Sequence, residues 1–474
     1  MNISLGLDAM IESLGLAEEN IQLWSINDNA SNMHVAIRES KYLRELNCGI
    51  HTISLAVCDT FKDVQGMKKV LKKSKKLAKF AHSEGPMRQL KNAVESSGLK
   101  FKKPKNPGET RWSSQVDCME SLQPYKGIFD NLSVDHPEWE RRNLSKQQWK
   151  MLDGACVNLK SFRDTIKAWE GEKEPTLDRV IERLYVNHSV LDSFISDPKN
   201  QKEKCGVVFA RKLKENLEVR FPAKGTECEI YCKANYLNPK YRGIHLMAED
   251  KLEEAKSAME EEWKQKQADE VLSAEAVSLD ENVLPAKLSP TSQLRKKLGT
   301  RMEYRRHQKT SQIRKEMDRY ESFSTVPKHA SILSWWKRMT NALPILSEIA
   351  RSVLAIPASS AKSERVFSKG GNIVTVKRTR LNPKKVEKIL IIQENKKRVK
   401  EFMKKTTYEV KPNEGKCFSE IDIKELVRVH EEVEEEEEDS DDGADAFDDS
   451  DVEEGDTEEY DTDDFSDEFT DEED

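Results

Sequence analysis

The sequence predicts a mixed α/β chain dominated by helices, followed by an acidic tail that does not fold. Three observations lead there. A short apolar run over residues 21–26 reads as a buried strand, with Asp28 standing just beyond its carboxyl end. Residues 118–260 repeat apolar positions at helical spacing, as at Val180, Leu184 and Leu191. Residues 431–474 hold 28 Asp or Glu and no Lys or Arg, and so cannot bury enough apolar surface to offset the entropy of ordering.

With 474 residues the chain is long enough for two or three domains, and at 36% hydrophobic and 35% charged it is polar for a packed protein. Its net charge of −8 conceals a division. Residues 1–430 keep all 78 basic residues against 58 acidic ones, a net of about +20. A basic body with an acidic tail suits a protein that meets DNA or chromatin; it equally suits a solubilising tail on a lysine-rich domain. No run approaches the roughly 18 apolar residues of a membrane span, and MNISLGLDAM has no basic region followed by an apolar core, so a soluble intracellular protein without a membrane partner is expected. Cysteines at 48, 58, 118, 156, 205, 228, 232 and 417 form no paired C-x-x-C knuckles, which fits free thiols in a reducing compartment.

Taken in order, residues 2–18 place Ile3, Leu7, Met10, Ile11 and Leu14 in a helical pattern. After the strand, Asp28-Asn-Ala-Ser-Asn-Met33 leads into a helix, where Asp28 is either a strand-end functional carboxylate or a simple helix cap. Cys48-Gly-Ile-His51 opens the next helix. Residues 58–100 form long basic helix, in which Lys68, Lys69, Lys72, Lys73, Lys75, Lys76 and Lys79 alternate with Val70, Leu71, Leu77 and Phe80. Those lysines read as DNA phosphate contacts or as a solvated face, with Lys102, Lys103 and Lys105 following in a loop. Glu174-Pro175 starts a further helix with proline in its first turn. Residues 250–325 read as a charged helix and then a flexible connection, broken at Pro285 and Pro290.

Toward the C-terminus, Trp335, Trp336, Leu346, Ile349, Val353 and Leu354 recur at helical spacing. Pro357 stops that helix, and Ser359 or Ser360 caps a new one running through Glu364, Val366 and Phe367. Gly370-Gly371 is expected to end it, ahead of a short strand at Ile373-Val374. Asn382-Pro383 caps a last helix carrying Val386, Ile389, Leu390 and Ile392. Lys396-Lys-Arg398, Lys400, Lys404 and Lys405 read as a nuclear-import cluster. Phe447, Tyr460, Phe465 and Phe469 stud the acidic tail, a composition suited to contacting transcription proteins or histones, or simply to solvation.

Four words appear in a fixed order: D-N-A-x-N-M at Asp28, C-x-x-H-x-x-x-L-A-V at Cys48, T-R-W-x-S around Arg111 and Trp112, and P-x-S-S-A-x-x-E-R-x-F-S from Pro357 to Ser368. The last is followed by Gly370, Gly371, Arg378 and Leu381. Over roughly residues 20–400 this order resembles hAT-family transposases. The resemblance implies a ribonuclease-H-like core interrupted by a large all-α insertion. Residues 1–75 would be the N-terminal part of that core and 76–325 the helical insertion, with a flexible charged segment near 265–325. Residues 326–405 would be the C-terminal dimerisation region completing the core, and 406–474 a linker and disordered acidic tail.

The resemblance also assigns roles. Asp28 and Glu364 match two of the family's three metal-binding carboxylates, whose oxygens suit Mg²⁺ or Mn²⁺. Trp112 matches a tryptophan that stacks on a flipped base, and Arg111 would lie near phosphates. Cys48 and His51 match a pair near the active site, where a helix-packing role serves as well. Trp335, Trp336, Leu346, Ile349, Val353, Phe367 and Ile389 fall in the dimerisation region, with ordinary core as their other reading. The family's T-D-x-W-T segment and BED-type zinc finger are not among the residues before Asp28, so the core is expected to be incomplete and to need no metal unless activity remains. At Asn238, within Ala234-Asn-Tyr-Leu-Asn-Pro-Lys-Tyr241, the family carries an aspartate. The expected protein is nuclear, derived from a hAT transposase, and paired with itself or a related hAT protein; it binds DNA without cutting it. The alternatives are an active transposase lacking its N-terminus and a transcriptional cofactor acting through the acidic tail.

Overall fold

The computed structural model describes residues 3–17, 23–28, 30–106, 112–202, 204–242, 246–277, 312–374 and 382–406. They fall into two units, residues 1–365 and 366–474. Among the described residues the sheet has two strands, and everything else regular is helical.

The first unit begins with α1 (Ile3–Ser13), β1 (Leu23–Asn27), α2 (Ser31–Glu39) and β2 (Leu43–Asn47). β1 and β2 pair in parallel, from Leu23 opposite Leu43 to Asn27 opposite Asn47, with α2 as the crossover that a parallel pair requires. Asp8 of α1 is buried and accepts from the Ser40 hydroxyl at 2.5 Å, tying α1 to the end of α2. The helices α3 (Gly49–Asp63), α4 (Met67–Ala81), α5 (Glu84–Ser96), α6 (Trp112–Leu122), α7 (Lys126–Asp135), α8 (Pro137–Arg142) and α9 (Lys146–Trp169) follow. Ser145 and Gln148 start α9 with a reciprocal capping box.

Next come α10 (Val180–Ser196), α11 (Pro198–Gln201), α12 (Lys204–Arg220), α13 (Glu229–Tyr236) and α14 (Glu249–Val277). Helix α12 packs against both α3 and α9. Where α9 and α12 cross, a Cβ on Gly154 would stand 2.5 Å from the Gly206 Cα, so two glycines set the closeness of that crossing. Around it, Phe129, Trp139, Trp149, Phe162, Trp169 and Phe209 are buried, and the indole N–H of Trp139 is satisfied by the Gln89 side-chain oxygen at 2.7 Å.

The chain then forms α15 (described over residues 312–322), α16 (Ile332–Met339), α17 (Pro344–Leu354), α18 (Ala361–Ile373) and α19 (Pro383–Thr406). Glu316 of α15 is buried and accepts from the backbone N–H groups of Ile345 and Leu346, both at 3.0 Å, which satisfies two free donors at the start of α17. In the second unit, Ile373 packs on Ile389 and Ile392, and Lys369 pairs with Glu394 at 2.5 Å.

Two expectations at this end are corrected. Gly370 and Gly371 do not stop α18, and Ile373-Val374 is not a strand: the helix runs through both glycines to Ile373. Neither glycine takes the left-handed backbone that a glycine stop uses, and Gly370 faces Leu390, so a smooth-sided helix turn lies against α19 instead. The acidic tail and the connection over 278–311 lie outside the described residues, as do Arg378 and Leu381.

Candidate functional site

The site is assembled from the ends of elements that are hundreds of residues apart in sequence. β1 ends at Asn27, which is buried and donates through its side-chain amide to Glu45 of β2 at 3.0 Å. Asp28 follows as an exposed carboxylate at the carboxyl end of the strand. The backbone carbonyl of Asn27 accepts from the Cys48 N–H at 2.7 Å, which seats the first turn of α3 beside that strand end.

Cys48 is fully buried, and its sulfur accepts from the backbone N–H of Ser360 at 3.4 Å. Gly49 donates its N–H to the Ala358 carbonyl at 2.9 Å. A Cβ on Gly49 would stand 2.9 Å from the Trp169 ring and 3.0 Å from the Ala358 oxygen, so a glycine is required between Cys48 and Ile50. The extended Pro357–Ser360 segment is held from its other side. Ala358 donates to the Thr176 hydroxyl at 2.9 Å, and the Ser359 hydroxyl donates to the Trp169 carbonyl at 3.1 Å. The Ser360 hydroxyl donates to Glu364 at 3.0 Å, and Arg365 reaches back to the Glu170 carbonyl at 3.2 Å and the Glu172 carboxylate at 2.6 Å. Glu364 therefore sits one turn into α18, exposed, with its position set from the segment before it.

The structure thus brings together three of the four words: the β1 end at Asp28, the α3 start at Cys48 and His51, and the Pro357–Arg365 segment. His51 lies half-buried in the first turn of α3. Among the described residues no group of three His, Cys, Asp or Glu is placed to hold a metal ion. Asp28 and Glu364, both exposed, do not by themselves make a two-ion centre.

The fourth word packs against α3, the helix of the Cys48 word, through a buried side chain. Trp112 opens α6 and is 4% exposed, with its indole N–H donating to the Ser54 hydroxyl at 3.2 Å. As placed, its ring faces belong to the core and none is open to a base. Arg111 lies outside the described residues.

The residues read as dimer contacts are mostly spent within the chain. Trp335, Trp336, Leu346 and Val353 are buried in the first unit's core and Ile349 packs partly against it, while Ile389 is buried in the second unit. Phe367 is 78% exposed, a large aromatic side chain left in solvent.

Reading the sequence missed the group that fastens this region. The Arg242 guanidinium lies 5.0 Å from the ring centres of both Tyr320 and Trp335 and donates to the carbonyls of Tyr320, at 3.0 Å, and Ser324. Tyr320 donates its hydroxyl to the Tyr236 carbonyl at 2.9 Å, and Trp336 donates its indole N–H to the Leu237 carbonyl at 2.9 Å. Arg242 directly follows the Asn238-Pro-Lys-Tyr241 word, the sequence clue that was there to follow. Within that word, Asn238 donates its amide to buried Asp178 at 2.6 Å. Burial pushes the Asp178 carboxyl up to about 7, against smaller opposing effects that include this hydrogen bond.

With this geometry in hand, comparison with known proteins is informative. Residues 315–396 match the hAT family C-terminal dimerisation region. They span α15 to the middle of α19, including the Pro357–Arg365 segment. The chain is 44% identical over 78 residues to an AC transposase of Zea mays, covering 16% of this chain and 10% of that protein. It is 20% identical over 294 residues to zinc finger BED domain-containing protein DAYSLEEPER of Arabidopsis thaliana, covering 60% of this chain and 40% of the relative. Zinc finger BED domain-containing protein 4 of Homo sapiens is 21% identical over 375 residues, 78% of this chain and 31% of the relative. The chain thus spans less than half the length of each of these relatives. Residues 315–396 therefore carry the hAT C-terminal dimerisation region, and the chain is similar to hAT transposases and zinc finger BED domain proteins.

Proposed function

We propose that this chain is a nuclear, hAT transposase-derived protein that dimerises through residues 315–396 and holds DNA without cutting it. The observation that carries this reading is the hydrogen-bonded join of Asn27, Cys48, Gly49, Ala358 and Ser360. It ties the strand-end and helix-start words into the same C-terminal region that the family comparison matches. The parallel β1–α2–β2 unit with Asp28 at its end supports part of a ribonuclease-H-like core, with residues 76–325 as its helical insertion. Exposed Phe367 gives a dimer something to bury.

The non-cleaving part rests on chemistry. Phosphodiester cleavage by paired cations needs several oxygen ligands converging on two ions, and Asp28 with Glu364 supplies two carboxylates. The test is to incubate the full chain with a labelled DNA duplex in Mg²⁺ and, separately, Mn²⁺. The proposal expects retarded and uncut DNA, with Asp28→Asn and Glu364→Gln binding as the parent does. Strand cleavage that disappears in Glu364→Gln would establish an active transposase instead. The acidic residues 431–474, which lie outside the described residues, carry the proposed contact with chromatin or transcription proteins, and deleting them should reduce reporter output.

A further inference from the structure

Helix α4 carries seven lysines and no acidic residue. Met67, Val70, Ser74, Leu77, Ala78 and Ala81 are buried. Lys68, Lys69, Lys72, Lys75, Lys76 and Lys79 are exposed and, at 100° per residue, occupy an arc of about 120° on the opposite side. Lys68, Lys72, Lys75 and Lys79 make a straight row about 17 Å long.

None of these six lysines forms an ion pair among the described residues, although many lysines elsewhere in the chain do. Several acids on the helices packed against α4 are paired with other cations. On α6, Asp117 and Glu120 pair with Arg163, and Asp117 also with Lys105. On α3, Asp59 pairs with Lys62 and Arg220, and Asp63 with Lys212. Asp153 of α9 pairs with Lys126 and Glu84 of α5 with Arg88. A rigid row of like charges that forms no ion pair of its own repels itself, and an external polyanion relieves that repulsion.

We infer that this face of α4 is a backbone contact for duplex DNA, an inference that rests on the DNA-binding reading above and locates it. A duplex presents about one charge per 1.7 Å of its axis, so a 17 Å row of ammonium groups meets a continuous phosphate surface. No aromatic ring is offered for stacking on single-stranded bases: Phe80 packs edge-on against Trp139 at 4.9 Å and lies under the Arg142 guanidinium. The contact is therefore sequence-independent. The loop after α5 adds to it, since the Pro104 carbonyl is 2.6 Å from His82 at the end of α4, placing exposed Lys103 near that end of the row.

The experiment uses the full chain and a fluorescent duplex of arbitrary sequence, about 20 base pairs long, titrated between about 50 and 200 mM KCl. Combining Lys68→Gln, Lys72→Gln, Lys75→Gln and Lys79→Gln should weaken binding about 100-fold or more at the lower salt. It should also make the slope of log affinity against log salt shallower by about 3 to 4, at roughly 0.9 per lost phosphate contact. A control with Lys212→Gln, Lys214→Gln and Lys264→Gln should stay within about twofold of the parent, because those lysines already have acidic partners. The buried face is untouched, so thermal unfolding should show the fourfold variant folded; if it does not, Lys68→Gln with Lys75→Gln should still lower the slope by about 2. A folded variant with parental affinity and slope overturns the assignment to α4 and leaves the DNA-binding reading standing. A parent chain that does not bind duplex overturns both. Equal affinity for vesicles of phosphatidylcholine and phosphatidylserine gives the face to a lipid surface and also overturns it.

Discussion

Gly49 shows how much a single position decides here. Its N–H bonds the Ala358 carbonyl, and its missing side chain lets α3, Trp169 and the Pro357–Ser360 segment meet. Gly49→Ala should cost about 1 to 3 kcal/mol, read as a lower urea midpoint, because both the carbonyl and the indole would have to retreat. An unchanged midpoint would mean that the segment yields freely. Asp178 offers a test through pH. Its folded-state carboxyl is pushed up to about 7 by burial, while in the unfolded chain it titrates near 3.8. The folded state therefore holds this proton more tightly. The stability it confers is present below pH 3.8 and is lost as pH rises through about 7. Asp178→Asn should accordingly gain on the parent as pH rises from 5 to 8, in urea midpoints measured at both, while a gap that narrows over that range would contradict the assignment.

At the scale of elements, the lesson is which features local sequence can express. Helical periodicity was enough for the body of α10, α17 and α19, and the proline and serines before Ala361 marked the start of α18 correctly. Glu174-Pro175, expected to start a helix, precedes a single 3₁₀ turn at Leu177–Arg179, and α10 begins only at Val180. The strand read over residues 21–26 matches β1 from Leu23 onward, with β1 running one residue further to Asn27 and residues 21 and 22 lying outside the described residues. β2 was not foreseen, because Leu-Arg-Glu-Leu-Asn buries mainly Leu46 and reads as polar until β1 lies beside it. The glycine pair in α18 misled for the same reason: whether glycine ends a helix depends on what packs against it. The word before Arg242 marked its place but not its partners, which lie about 80 to 95 residues away and in part bond through backbone carbonyls, which carry no residue signature. That group makes its own prediction. Arg242→Lys should cost about 2 to 4 kcal/mol, since an ammonium cannot reproduce the fork to two carbonyls while lying over the rings. Chemical denaturation measures it, and a loss below about 0.5 kcal/mol would show the ring contacts to be incidental.

Across the whole molecule, the candidate site was legible where it consists of words and illegible where it depends on burial. The Asp28, Cys48 and Pro357–Arg365 words are joined by hydrogen bonds spanning more than 300 residues, and their order alone pointed to that join. Trp112 carried the right letters, yet it lies in the core with its indole bonded to Ser54. The apolar positions of the C-terminal region could not be sorted by pattern into core and interface, because both require the same side chains. Burial separates them: Trp335, Trp336, Leu346 and Val353 serve the chain itself, and Phe367 is left exposed, the side chain proposed to meet a partner. Phe367→Asp should therefore weaken self-association at least about tenfold while leaving the thermal midpoint of the folded chain nearly unchanged. The measurement that meets the central claim most directly is sedimentation equilibrium of the full chain at micromolar concentration. The account predicts a species of about twice the 54.5 kDa chain mass, shifting toward single chains in Phe367→Asp. A parent that sediments as a 54.5 kDa monomer throughout would contradict it.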